Sequence, residues 1–163
     1  MTADSASERR FERALASLRG LSVGDALGSQ FFVPVNYPLL KQRALPPGPW
    51  QWTDDTEMAC SVLAVLSVHG RIDQDALARS FAEHHDFDRG YGPAVNRLLR
   101  LVREGGDWRE LSSALFQGQG SWGNGSAVGG APRRARAGRG PPPPPPPPAR
   151  TPRTTHTHRQ TKK

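Results

Sequence analysis

The spacing of apolar residues along the chain predicts helices rather than strands. In residues 5–28 large apolar side chains recur at helical intervals, at Phe11, Leu15 and Leu18. Ser5 and Glu8 have the spacing of a capping box, which predicts the start of this first helix. Because no segment shows the strict alternation of a half-buried strand, we expect an all-α body.

Glycine and proline characterise the next part of the chain. Gly20, Gly24 and Gly28 lie four residues apart and would share one helix face. We therefore expect another backbone to approach the first helix closely at these glycines. Residues 29–52 follow with five prolines, and we expect them to form an irregular loop.

The most apolar segment predicts a second helix over residues 54–69. Apolar residues cover most of its circumference, which indicates a buried central helix that ends at Gly70. Cys60 lies within it, and we expect a buried small hydrophobe rather than a nucleophile. Because it is the single cysteine, an intrachain disulfide is excluded, and a cytoplasmic location is expected.

Cap residues mark three later helices. Asp73 is the predicted N-cap of the third. Pro93 lies in the first turn of the fourth, a favoured place for proline. Asp107 and Glu110 again have capping-box spacing, for a short helix through Leu115.

The segment Thr53–Glu57 contains three acids and two threonines at the head of the apolar helix. One interpretation is helix capping: Asp54 as N-cap, Glu57 closing the box, and Asp55 favourable against the helix dipole. The other is a cation site, because clustered carboxylates near the centre of a protein need a counter-ion. Such hard oxygen ligands suit Mg²⁺, Ca²⁺ or Mn²⁺ rather than zinc.

Two other segments are candidate ligand sites. Residues 118–127, GQGSWGNGSA, contain four glycines, so many backbone N–H groups are free to face a phosphate or a sugar. The alternative is a plain flexible loop. His84 and His85 precede Asp86, and we expect them to be a surface pair at a helix end.

Charge divides the chain at residue 128. Nine of the 22 Lys and Arg residues, but none of the 15 Asp and Glu residues, lie in residues 128–163. Residues 1–127 therefore give no reason to expect a specific nucleic-acid partner. No apolar run approaches membrane-spanning length, and no signal peptide is visible, so we expect no membrane association.

The segment 128–163 is poor in large apolar residues, and we expect a disordered basic tail. Its octaproline, Pro141–Pro148, predicts a short polyproline II rod. One interpretation is out-of-frame translation of GC-rich DNA. The alternative is an interaction tail, for aromatic-lined grooves or for nonspecific nucleic-acid contacts.

Four segments carry a resemblance to a known family. They are, in chain order, GLSVGDALG, WTDDTEMA, RGYGPA and GSWGNGSA. In this order they resemble the ADP-ribosylglycohydrolase family over residues 12–127, and WTDDTEMA with GNGSA is the most specific part. The resemblance implies an all-α orthogonal bundle with two Mg²⁺ ions in its cleft. Residues 1–127 would be the N-terminal part of this domain.

The resemblance also implies an activity and a set of site residues. The activity is Mg²⁺-dependent hydrolysis of ADP-ribosyl bonds on a modified protein or small molecule. Thr53, Asp54 and Asp55 match the first metal-ligand group, and Asp55 is also the expected catalytic residue. The expected substrate-binding residues are those that match the motifs lining the family's cleft: Arg89, Tyr91, Gly92, Gly123, Asn124, Gly125 and Ser126.

The sequence departs from the family pattern at two places. Phe32 stands where many members have a glutamate, eight residues after Gly24. The family's second metal motif, two aspartates and a threonine, has no counterpart after Ala127. We therefore expect an incomplete bundle whose hydrolase activity is lost. The alternatives are a module that binds ADP-ribose without turnover and a fragment without function. Nothing in the sequence selects an oligomeric state.

Overall fold

The computed structural model describes residues 3–118. Within this range it contains α-helices and short 3₁₀ turns but no strand, so the all-α prediction is confirmed. The α-helices are α1 (Ala3–Ser29), α2 (Tyr37–Gln42), α3 (Asp54–His69), α4 (Gln74–His84), α5 (Pro93–Arg103) and α6 (Trp108–Ser113). In the described part, none of them is both long and apolar enough to cross a membrane.

Local capping explains where the later helices begin. The Asp73 side chain accepts a hydrogen bond from the Ala76 N–H at 3.0 Å and caps α4. Asp107 likewise accepts from the Arg109 N–H at 2.7 Å and caps α6. Pro93 starts α5, where its missing N–H costs nothing. The predicted starts of these three helices agree with the structure.

Helix α3 carries most of the hydrophobic core. It packs mainly between α1 and α4, and α5 and α6 extend the stack from α4. Five of the nine hydrophobic residues that are buried within residues 3–118 lie on it: Ala59, Val62, Leu63, Val65 and Leu66. Burial of each of the larger side chains contributes about 1.5–3 kcal/mol to stability.

Helix α3 is the buried central helix that was predicted, but one of its faces is exposed. Cys60, Ala64 and Ser67 lie on that face, and Val68 is 77% exposed. This exposed face is not visible in the sequence, because its residues are as small or as apolar as the buried ones. The expectation that Cys60 is buried is therefore wrong.

The segment between α1 and α3 is more regular than predicted. Two 3₁₀ turns, Gln30–Phe32 and Pro34–Asn36, lead into α2, where an irregular loop was expected. Pro38 lies in the first turn of α2, where proline favours rather than breaks a helix. Arg43, with a left-handed φ of 53°, ends it.

Helix α1 differs from its prediction in two ways. It begins at Ala3, so Ser5 lies inside the helix and is not its cap. Gly20, Gly24 and Gly28 are exposed, and a Cβ atom added to any of them would meet no described atom within 4 Å. The expected close approach of a second backbone does not occur among residues 3–118.

Candidate functional site

A carboxylate from α1 holds the start of α3. Asp25 accepts hydrogen bonds from the Thr53 N–H at 2.7 Å and from the Thr53 hydroxyl at 2.5 Å. It also accepts from the buried hydroxyl of Thr56, at 2.5 Å. Asp25 therefore fixes the backbone and two side chains at the point where the acidic segment begins.

The N-cap of α3 is Thr53, so the assignment of Asp54 as N-cap is wrong. The Thr53 hydroxyl accepts a bond of 3.4 Å from the Asp55 N–H, while Thr53 itself has an extended backbone. Asp54 and Asp55 are consequently the first two residues of the helix. There the exposed N–H groups and the helix dipole favour negative charge.

The aspartates at the head of α3 carry more negative charge than their surroundings balance. Burial, and repulsion from Asp25, raise the pKa of Asp54, although a hydrogen bond with Thr53 offsets part of this. Burial and repulsion from Asp54 and Asp25 raise the pKa of Asp55. A cation at this point would relieve both the repulsion and the desolvation.

Glu57 does not close a capping box at the head of α3, contrary to the capping interpretation. It is buried, and its Oε1 atom accepts hydrogen bonds from the Asp86 N–H and the Tyr91 hydroxyl, each at 3.0 Å. Both donors belong to the segment between α4 and α5. Glu57 therefore joins α3 to that segment.

Arg89 lies on this segment beside an aromatic ring. Its guanidinium carbon is 3.6 Å from the centre of the Trp52 ring, which is a close cation–π contact. Its Nε atom is 3.1 Å from an Asp86 oxygen and 4.0 Å from a Glu57 oxygen. Arg89 is thus held near the residues that precede α3, where its matching motif predicts a cleft.

Tyr91 is buried between polar and aromatic partners. Burial and the hydrogen bond to Glu57 raise the pKa of Tyr91 above its usual range. Its ring centre is 4.9 Å from that of His85, whose Nε2 is 2.6 Å from the Asn96 Oδ1 atom. The prediction of a surface histidine pair is therefore wrong for His85, which is half-buried, and right for the exposed His84.

The oxygen atoms at the head of α3 are of the chemical types that bind a hard divalent cation. Asp54 and Asp55 supply carboxylate oxygens and Thr53 supplies a hydroxyl, which are the ligand types that Mg²⁺ prefers. Residues 3–118 contain no group of three His, Cys, Asp or Glu side chains that could hold a metal.

A cavity of about 290 Å³ opens beside α3. Its lining residues come from the chain just before α3, from α3 and from α4, and include Trp52, Glu57, Cys60, Ser80 and His84. Although Cys60 reaches the surface, partial desolvation in this cavity, and then the Glu57 carboxylate, raise the pKa of its thiol, which disfavours the reactive thiolate. That Cys60 is no nucleophile stays a prediction.

The structure brings together only part of the predicted site. Thr53, Asp54 and Asp55 form one cluster, and Arg89 and Tyr91 meet α3 through Glu57. Gly92 is the residue before α5. The predicted glycine-rich loop residues, Gly123, Asn124, Gly125 and Ser126, lie outside the described residues.

Asp25 is the residue of this site that sequence reasoning missed. Its signal was present, because a charged aspartate stands among glycines and small apolar residues in GLSVGDALG. An acid in such surroundings needs hydrogen-bond donors from elsewhere in the fold. The sequence does not show that Thr53 and Thr56 are those donors.

Comparison with known proteins identifies the family. The model of the ADP-ribosylglycohydrolase family matches residues 6–159 and so extends into the segment 128–163. Among curated proteins, the ADP-ribosylhydrolase ARH3 of Danio rerio is 32% identical over 136 residues, which cover 76% of this chain and 36% of that protein.

Other vertebrate proteins of the same name show a similar degree of identity and coverage. The ADP-ribosylhydrolase ARH3 of Gallus gallus is 34% identical over 140 residues, covering 73% of this chain and 37% of the relative. That of Homo sapiens is 31% identical over 138 residues, covering 74% and 38%. The chain thus spans little more than a third of the length of these relatives. Because the family model matches nearly all of it, the chain belongs to the ADP-ribosylglycohydrolase family.

Proposed function

We propose that the site at the head of α3 serves Mg²⁺-dependent hydrolysis of ADP-ribosyl glycosidic bonds. The observation that carries this proposal is that Asp25, through Thr53, fixes the head of α3, where burial first and then repulsion from neighbouring aspartates raise the pKa values of Asp54 and Asp55. Membership of the family, and the similarity to the ADP-ribosylhydrolase ARH3 of several vertebrates, support the reaction class. The substrate would be an ADP-ribosylated protein or small molecule.

The proposed reaction exchanges one bond for another. Water adds its hydroxide to the anomeric carbon of the ribose, the bond from that carbon to the acceptor breaks, and the acceptor takes the remaining proton. Asp54, Asp55 and Thr53 would hold Mg²⁺, which supplies a positive charge that orients the ribose and the water. Asp55 would orient the attacking water.

The remaining predicted residues would hold the substrate. The Arg89 guanidinium, stacked on Trp52, offers positive charge to the diphosphate. Gly92 precedes α5 without a side chain, so substrate can come close to the backbone. Gly123, Asn124, Gly125 and Ser126 would offer backbone N–H groups to the ribose and diphosphate.

A second candidate function is ADP-ribose binding without turnover. The observation in its favour is that residues 3–118 contain no cluster of three metal-binding side chains. Weak Mg²⁺ binding would leave the attacking water poorly oriented, whereas the Arg89 segment would still bind the nucleotide.

The test is release of ADP-ribose by the 163-residue chain. Peptides ADP-ribosylated on serine or on arginine are incubated with Mg²⁺ or with EDTA, and free ADP-ribose is measured by chromatography. Hydrolysis at this site requires release with Mg²⁺ only, and a rate at least about 100-fold lower in Asp55→Asn, because the water loses its orienting group. The loss of hydrolase activity expected from the sequence would instead appear as no release under either condition.

Calorimetry with ADP-ribose separates the outcomes. Binding without release would support the second candidate. Release that persists in EDTA or in Asp55→Asn would contradict the proposed mechanism, and neither release nor binding would contradict both functions. Glu104→Gln is the matched control, since Glu104 is an exposed acid far along the chain from the cluster.

A further inference from the structure

The segment that carries Arg89 is anchored at several points. From α5, the Asn96 Nδ2 donates to the Tyr91 carbonyl at 2.8 Å, and Arg103 donates to the His85 carbonyl at 2.7 Å. From α3, the Glu57 carboxylate accepts from the Asp86 N–H and the Tyr91 hydroxyl. The segment is thus fixed to two helices at once.

Glu57 stands out among these anchors because of where its two bonds fall. A single oxygen atom, Oε1, binds Asp86 on one side of Arg89 and Tyr91 on the other. Between these two points Gly90 turns the backbone with a φ of 89°. The carboxylate therefore restrains both ends of the short stretch that includes Arg89.

Glu57 also lies on the same rigid helix as the proposed cation ligands. Asp54, Asp55 and Glu57 share the first turn of α3, which Asp25 fixes to α1. A side chain that binds the Arg89 segment from this turn sets its distance from Asp54 and Asp55. Catalytic and binding groups lose much of their effect when they are displaced by about 1 Å.

Capping and stability alone do not require this residue. Thr53 already caps α3, so Glu57 is not needed for that purpose. Burying a carboxylate is costly unless it is paired and hydrogen-bonded, as Glu57 is here. The two donors that satisfy it both belong to the Arg89 segment.

We infer that Glu57 is a positioning residue that holds the Arg89 segment, residues 86–91, in register with Asp54 and Asp55 for binding ADP-ribose. This inference rests on the proposed function and adds to it a residue that does not touch the substrate. Its effect passes through the two hydrogen bonds of Oε1. Glu57 acts here as a hydrogen-bond acceptor rather than as the charge partner of Arg89. The carboxylate nearest the Arg89 Nε atom is that of Asp86, at 3.1 Å, whereas a Glu57 oxygen is 4.0 Å away.

The test compares Glu57→Met with Glu57→Gln in the full chain. Met has a similar shape but no acceptor, whereas Gln keeps an acceptor oxygen. Hydrogen exchange of the backbone amides of residues 86–91 reports the restraint, and calorimetry with ADP-ribose and Mg²⁺ reports affinity. Glu57→Met is expected to speed exchange and weaken ADP-ribose binding about tenfold, and Glu57→Gln to restore both. Glu104→Gln is the control.

Each outcome decides the inference. Unchanged exchange in Glu57→Met overturns it, and so does faster exchange with unchanged ADP-ribose affinity, because Glu57 is then only structural. Should Glu57→Met fail to fold, Tyr91→Phe removes one of the two bonds without altering α3, and unchanged exchange and affinity there would overturn the inference. Failure of the proposed function shows separately: a wild-type chain that binds no ADP-ribose contradicts both, whereas wild-type binding with unaffected variants contradicts only the role of Glu57.

Discussion

Carboxylates occur in opposite electrostatic situations at the head of α3 and at the corner between α4 and α6. At the head of α3, burial raises the pKa values of Asp54 and Asp55, and repulsion from Asp25, together with that of Asp54 on Asp55, adds to this. At the corner, a hydrogen bond from Arg109 has the largest effect in lowering the pKa of Asp75, and a hydrogen bond from Trp108 has the next largest. Relative to an ordinary aspartate, ionisation is therefore harder for Asp54 and Asp55 and easier for Asp75.

The difference separates a structural acid from a candidate binding acid. Asp75 takes two hydrogen bonds from the Arg109 guanidinium, at 2.7 and 3.2 Å, and one from the Trp108 indole at 2.7 Å. It has its partners within the fold. A ligand would give Asp54 and Asp55 a comparable balance, which is typical of functional sites.

The largest effect on stability is expected for Asp25→Ala. It leaves the Thr53 N–H and hydroxyl and the buried Thr56 hydroxyl without their acceptor. We expect the free energy of unfolding to fall by about 2 kcal/mol, because unsatisfied buried donors keep their full desolvation cost. Urea denaturation followed by far-UV circular dichroism measures this.

Asp25→Asn is the matched control for that loss. It keeps one acceptor oxygen and should fall between the wild type and Asp25→Ala. Equal stability of all three proteins would show that Asp25 does not anchor the head of α3. The acids there would then not be held in place by Asp25, and the contrast with Asp75 would be weakened.

A smaller effect on stability is expected for Asp54→Asn, and unlike Asp25→Ala this substitution should not destabilise the protein. Removing one of the repelling charges should leave the melting temperature at pH 7 unchanged or higher, since the folded state disfavours ionised Asp54. Mg²⁺ affinity should fall by about tenfold, because it depends on the number of anionic ligands. Differential scanning calorimetry and titration calorimetry give the two values.

A lower melting temperature in Asp54→Asn, with Mg²⁺ affinity retained, would contradict that expectation. Asp54 would then be structural, like Asp75. Glu83→Gln, an exposed substitution on α4, controls for loss of one negative charge elsewhere.

Local chemistry made part of this fold predictable. The starts of α4 and α6 follow from single side chains, Asp73 and Asp107, that bond to N–H groups two or three residues ahead. The segment Thr53–Asp55, proposed as a metal-ligand group, was recognisable from the sequence because its residues are adjacent, and its role stays a prediction. Such interactions need no knowledge of how the helices pack.

Long-range pairing explains what the sequence did not reveal. Asp25 meets Thr53, and Glu57 meets Asp86 and Tyr91, across 28 to 34 residues. Nothing in the local pattern around Glu57 distinguishes this pairing from a capping box. The exposed face of α3 was missed for a related reason, since hydrophobicity alone does not show which sides of a helix its neighbours cover.

The smallest effect is expected for Asp75→Asn, which weakens the exposed contact between α4 and α6. At pH 7 the melting temperature should fall by less than in Asp25→Ala, because solvent screens an ion pair whose side chains are 56% and 47% exposed. Thermal unfolding followed by circular dichroism measures the shift, with Glu83→Gln as the control on the same helix.

The pH dependence of Asp75→Asn tests the cause of that shift. Because the folded-state pKa of Asp75 is lowered, the unfolded state binds more protons at acid pH, and its stabilisation is present above the ordinary Asp pKa of about 4. It is lost as pH falls through the lowered folded-state value. The difference in melting temperature between wild type and Asp75→Asn should therefore hold from pH 7 to about 5 and shrink at lower pH. A difference that persists undiminished below the folded-state pKa would show that Asp75 acts through packing rather than charge, and the contrast with Asp54 would not be electrostatic.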